Sequence, residues 1–168
     1  MTSMFRTRLL PMIAVLAPTS LIAVSAPVHA GGADDLVGSW RLLSWQVVAA
    51  DGSTHDVFGA RPSGYLVLTR EGRSIVVTTA DGRKGGTDDV TRAALHKTML
   101  AYSGRYRVEG SDFITRVEVS WNEDWNGTEQ RRHYRIDGDE LFVETAPGPS
   151  ITFPGQTDFR RLVFERDK

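Results

Sequence analysis

Apolar and polar residues alternate with a period of two along most of this chain. Successive side chains of a strand point to opposite faces, so such alternation marks half-buried β-strands. Residues 36–50, 64–70, 74–80, 105–109, 112–121, 131–137, 140–145 and 158–166 each read this way, rich in Val, Ile, Leu, Tyr, Phe and Thr. In the first run Trp40, Leu42, Ser44, Gln46 and Val48 share one face, and Arg41, Leu43, Trp45 and Val47 the other. Large apolar groups fall on both, so the alternation there is blurred. In 112–121, Phe113, Thr115, Val117, Val119 and Trp121 oppose Ile114, Arg116, Glu118 and Ser120. In 131–137, Arg131, His133 and Arg135 oppose Arg132, Tyr134 and Ile136, which puts arginine on both faces.

Acidic–glycine pairs punctuate these runs: Asp51-Gly52, Glu71-Gly72, Asp81-Gly82, Glu109-Gly110 and Asp137-Gly138. Such pairs between strand-like runs mark tight hairpins, because glycine accepts the positive φ that the turns need. The expected architecture is all-β: about eight antiparallel strands in an up-and-down barrel. Closure disposes of the exposed edges. Eight strands enclose either one small ligand or a packed interior. One α-helix interrupts the pattern between the third and fourth strands. Thr87 reads as its N-cap, Thr91, Leu95, Met99 and Tyr102 follow a helical spacing, and Gly104 ends it. That helix either packs on the outer wall or stoppers one end. The loops 122–130 and 146–157 are expected to form a rim.

The N-terminus reads as a separate element. Arg6 and Arg8 precede an apolar stretch, and Val28-His29-Ala30 supplies the small-residue site before Gly31. This is the layout of a secretory signal over 1–30, leaving one domain over 31–168. Export to the periplasm or medium follows, with no stable membrane insertion after cleavage. The chain has no cysteine, which removes thiol nucleophiles, thiolate metal sites and lipid attachment. Its formal charge is −1, and removing Arg6 and Arg8 takes it to −3 (−1 − 2). No basic stripe suggests nucleic acid. His55, His96 and His133 lack metal-ligand spacing, and no cofactor motif occurs.

Two constellations carry candidate chemistry. Arg116 and Glu118 could face the lumen and orient a polar ligand head, with Glu118 near an arginine or His133. The competing reading, an ordinary charge pair on the outer wall, is the default for a half-buried strand. The aromatic residues Tyr65, Tyr106, Trp121, Trp125 and Tyr134 could line a pocket or simply fill a core. Trp125 stands apart, because it lies in a polar loop between Asp124 and Asn126, where a rim contact accounts for an indole better than a core does.

Several segments together resemble the lipocalin-like domain of bacterial proteins, a calycin-type barrel. These are Leu36-Val37-Gly38-Ser39-Trp40-Arg41-Leu42, then Phe58-Gly59 with Gly64-Tyr65-Leu66, then Ala101-Tyr102-Ser103-Gly104-Arg105-Tyr106. Val117-Glu118-Val119-Ser120, Trp125 with Gly127-Thr128-Glu129-Gln130, Arg132-His133 and Arg161-Leu162-Val163-Phe164-Glu165-Arg166 continue the order. The resemblance implies that Trp40 of Gly38-Ser39-Trp40 closes the barrel base against an arginine of the last strand. That partner falls at Arg160 or Arg161, which makes Gly38, Trp40 and Arg161 the expected structural set. Relatives commonly carry a histidine just before the Val-Glu-Val-Ser segment, and Thr115-Arg116 stands there in this chain.

The leading expectation is an exported barrel that binds a small, largely apolar or aromatic molecule, with no catalytic residue. The alternative is a small enzyme of isomerase, cyclase or hydratase type, using Glu118 and His133 for general acid–base catalysis in the cavity.

Overall fold

The structure, a computed structural model, describes residues 32–150 and 155–168. The expected signal segment lies outside the described residues, as does part of the second rim loop. A short helix, α1 (Ala33–Leu36), leads into β1 (Gly38–Ala49), β2 (Thr54–Asp56), β3 (Ser63–Leu68) and β4 (Arg73–Thr79). Helix α2 (Asp89–Lys97) follows, then β5 (Met99–Glu109), β6 (Asp112–Ser120) and a 3₁₀ turn, Glu123–Trp125. The chain ends with β7 (Glu129–Asp137), β8 (Glu140–Glu144), β9 (Gly148–Pro149) and β10 (Thr157–Arg166).

Eight strands, β1, β3, β4, β5, β6, β7, β8 and β10, pair antiparallel in that order, and β1 pairs β10 to close the barrel. The short β2 and β9 extend the sheet beside β1 and β10. The up-and-down barrel is therefore the architecture the alternation predicts, with α2 between its third and fourth strands. Because the strands alternate in direction, the hairpins at Gly72, Gly110 and Gly138 share one end with α1. The longer connections, including α2 and the 3₁₀ turn, gather at the other. Among the described residues none other than glycine has positive φ, so these turns place a single glycine in the left-handed region. The Asp81-Gly82 pair does not form a hairpin; it opens the loop to α2.

The helix is shorter than its spacing predicts. Asp88, not Thr87, is the N-cap, its carboxylate accepting from the Thr91 N–H at 2.9 Å. The helix stops at Lys97, and Met99 and Tyr102 belong to β5, paired with Thr79 and Val76. Ladder pairing with β4 overrides the local helical preference of this segment. Gly104 does not end the helix. It sits inside β5, where a Cβ would stand 1.8 Å from the Arg116 carbonyl oxygen.

Two bulges explain where simple alternation fails. Between Leu42 and Ser44 the register against β10 shifts by one residue. Trp40 and Leu42 point inward before the shift, and Trp45 and Val47 after it, so β1 buries apolar groups from both of its nominal faces. The second bulge lies opposite Gly104, where Ser103 pairs Val119 and Gly104 pairs Val117. Phe113 and Val117 are buried inside the barrel, whereas Val119 beyond the bulge is exposed on the wall.

The hairpin end is closed by Trp40. Its indole N–H donates to the Leu36 carbonyl at 2.9 Å, and the ring is fully buried. The arginine against it is Arg166, not Arg160 or Arg161: its guanidinium carbon lies 4.1 Å from the Trp40 ring centroid. Register explains the correction. Trp40 pairs directly with Arg166, and the inward set of β10 runs Asp158, Arg160, Leu162, Phe164, Arg166. Arg161 has the opposite parity and pairs with Glu144 at 2.7 Å on the outside. Arg166 also donates to the carbonyls of Asp35 and Val37, at 2.7 and 3.2 Å, which satisfies the end of α1. Gly38 is needed here, because at φ 144° a Cβ would stand 2.9 Å from the Arg166 guanidinium.

Candidate ligand-binding cavity

Above this base the barrel is hollow. A cavity of about 590 Å³ opens at the end that carries the long connections. Trp45, Phe58, Leu66, Val76, Phe113, Leu162 and Phe164 form its apolar walls. Trp45 and Phe58 meet edge to face at 4.4 Å. Towards the mouth the lining changes to Lys97, Trp121, Trp125, Gln130, Arg132, Thr145, Pro149 and Arg160. A volume of this size suits a drug-sized ligand, and an apolar wall with a few convergent polar groups is the usual composition of such sites.

The mouth is built from three connections. The 3₁₀ turn after β6 carries Trp125, whose ring stands 4.9 Å from Trp121 and 5.7 Å from Tyr102. The turn is pinned by Asn122, whose side chain accepts from the Asp124 N–H at 3.2 Å. Helix α2 contributes Lys97, and its His96 ring nitrogen lies 3.1 Å from the Trp121 carbonyl. No side chain of α2 is buried, so the helix flanks the opening without filling it. The connection after β8 contributes Thr145, Ala146 and Pro149.

Arg132 is the polar centre of the wall. It points inward from β7 and donates to the Gln130 amide oxygen at 3.0 Å and to the Arg131 carbonyl at 2.8 Å. Tyr102 is buried on the same wall; burial pushes its hydroxyl pKa up, and the charge of Arg132 works against that rise. Arg160 reaches Asp158 at 3.3 Å, and its backbone N–H donates to the Thr145 hydroxyl at 3.0 Å.

The structure separates the residues singled out in the sequence. Trp121 and Trp125 line the cavity. Glu118 does not: it lies on the outer wall, hydrogen-bonded to Arg73 across the strands. Arg116 is exposed on the same outer face. Both follow from parity, since Thr115 and Val117 take the inward positions of β6. His133 is also outside, 3.2 Å from Asp112. Thus the acid–base pair that the enzyme alternative needs is not in the cavity. Tyr65 is 47% exposed and pairs with Val77 on the outer wall. Tyr106 sits at the closed end, its hydroxyl donating to the Thr69 carbonyl at 3.0 Å. Tyr134 is buried below the cavity, 6.2 Å from Phe113.

Arg132, Gln130, Arg160, Thr145 and Lys97 were missed. The signal for Arg132 was present, since it alternates in phase with Tyr134 on a strand with arginine on both faces. Among the described residues no group of His, Asp and Glu could hold a metal ion.

A profile of the lipocalin-like domain matches residues 37–166. The chain belongs to the lipocalin-like domain family. No curated protein matches it. Among solved structures it is similar to that of Rv2717c from M. tuberculosis, at 20% identity and a TM-score of 0.30, over 79% of this chain and 93% of that one.

Proposed function

We propose that this lipocalin-like protein is exported and binds a small, largely apolar molecule inside its barrel. The observation that carries the reading is the 590 Å³ hollow over apolar walls with its opening at one end. Binding by enclosure draws on buried ligand surface, at about 25 cal/mol per Å² of apolar area removed from water. The paired indoles at the mouth suit a ring or chain that passes between water and the interior. Export rests on Arg6, Arg8 and the apolar run ending at Ala30.

The test is a titration with the neutral fluorophore N-phenyl-1-naphthylamine. Saturable emission enhancement with quenching of tryptophan fluorescence is expected. Val143→Phe, which places bulk in the lining, should abolish it. Absence of saturable binding to the folded wild-type protein would overturn the reading. For export, intact mass of the secreted protein should correspond to a chain beginning at Gly31.

A further inference from the structure

The cavity lining is electrically one-sided. Among the described residues it contains Lys97, Arg132 and Arg160 and no aspartate or glutamate. The chain as a whole is slightly acidic, so this is a local excess and not a general basicity. The three cations come from separate elements, α2, β7 and β10, that meet only at the mouth. Arg160 has Asp158 beside it at 3.3 Å. Arg132 has no carboxylate partner among the described residues; its bonds go to the Gln130 amide oxygen and to a main-chain carbonyl, both neutral. A partly buried cation without a counter-charge is costly, and an anion delivered to it recovers that cost. Gln130 is itself fixed, its amide nitrogen donating to the Thr128 hydroxyl at 3.1 Å, so the guanidinium is oriented before anything binds. Preorganised arginine matches a carboxylate with two parallel hydrogen bonds.

Resting on the binding function proposed above, we infer that the occupant of this cavity is an amphipathic anion. Its apolar body lies against Trp45, Phe58 and Phe113, and its carboxylate or similar acidic head is held at the mouth by Arg132, with Lys97 and Arg160 beside it. The body goes down because the lower walls carry no charge. The head stays up because the lining cations among the described residues are there.

The experiment uses three probes that share one chain: dodecanoate, 1-dodecanol and dodecylammonium, each displacing N-phenyl-1-naphthylamine from the purified protein at neutral pH. Dodecanoate should bind about tenfold more tightly than the alcohol, and the ammonium most weakly, as expected when one charge-assisted hydrogen-bonding site is filled. Arg132→Gln should bring the affinity for dodecanoate down to that for the alcohol; Arg132→Lys should keep part of the preference. Lys97→Gln, at an exposed helix end, should lower it by a smaller factor, and this variant still tests the proposal if Arg132→Gln does not fold. Equal affinity for all three probes, or a preference untouched by both Gln variants, would overturn the anionic head while binding itself stands. Failure of the fluorophore to bind at all would instead remove the binding function, and this inference with it.

Discussion

Arg166 sits over the Trp40 indole, its guanidinium carbon 4.1 Å from the ring centroid, while two of its nitrogens donate to the carbonyls of Asp35 and Val37 at the end of α1. One residue thus closes the barrel base, terminates the entry helix and joins the last strand to the first. Cation–π contact with a buried indole contributes up to about 2 kcal/mol, and the orphaned carbonyls add to the loss when the guanidinium is removed. Arg166→Met should therefore destabilise the protein by about 2–4 kcal/mol in urea unfolding. Arg161→Met, on the outer wall, should cost under about 1 kcal/mol. Equal losses from the two would refute the assignment of the base to Arg166.

Gly104 marks the place where β6 bulges towards β5. A Cβ there would lie 1.8 Å from the Arg116 carbonyl oxygen, a contact that only backbone movement can relieve. Gly104→Ala should cost more than about 4 kcal/mol or prevent folding. Gly110→Ala, where nothing lies within 4 Å and only the positive φ resists, should cost about 1 kcal/mol. Circular dichroism melts of the two variants make the comparison.

Acid should weaken the fold through the charge ladder on its outer wall. Hydrogen bonds from Arg131 and then from His133 hold the Asp112 carboxyl below its ordinary pKa. Arg131 and Arg107 do the same for Glu109, and Arg107 for Glu129. A carboxylate with a lowered folded pKa stabilises the fold at pH above its unfolded value. That contribution is lost as pH falls through the folded value. Stability should thus be flat near neutrality and decline below about pH 4. Arg131→Gln should shallow that decline, and added salt should shrink the difference, since these groups are largely solvated. A decline of unchanged steepness in Arg131→Gln would count against the ladder.

Glu118 and His133 are placed outside the barrel, so their substitution should not reach the cavity. Glu118→Gln should change stability by no more than about 1 kcal/mol, the range for an exposed pair. It should leave fluorophore affinity as it is. His133→Gln should behave likewise in binding. A several-fold loss of affinity in either variant would return one of them to the site.

Trp125 is the opposite case. It touches Trp121 and Tyr102 at the mouth, and its removal opens that wall. Trp125→Ala should weaken fluorophore binding by about tenfold, the loss expected when a large aromatic contact is removed. It should also remove near-ultraviolet dichroism from the indole pair. Retained affinity would reduce Trp125 to surface packing.

The candidate site was half legible in the sequence. Trp125 stood out because no core calls for an indole in a polar loop, and its neighbour Trp121 ended a recognisable strand. Glu118 was misleading because a charge on a barrel strand has two possible faces, and the choice depends on its neighbours' burial. Arg132 was legible in principle: once Tyr134 is placed inside, alternation carries Arg132 inside with it. Lys97 and Arg160 were not, since nothing local brings the end of a helix beside the start of the last strand.

Most of the strands, the hairpins at Gly72, Gly110 and Gly138 and the up-and-down order were determined by the chain alone, because alternation and turn chemistry act over a few residues. The inward faces of β1 and β6, the arginine that meets Trp40 and the clustering of three cations at one mouth were decided only by the tertiary structure. Bulges shift parity by one residue, and their positions depend on pairing with strands distant in sequence. Barrel closure then sets β1 against β10, a contact that no local pattern contains.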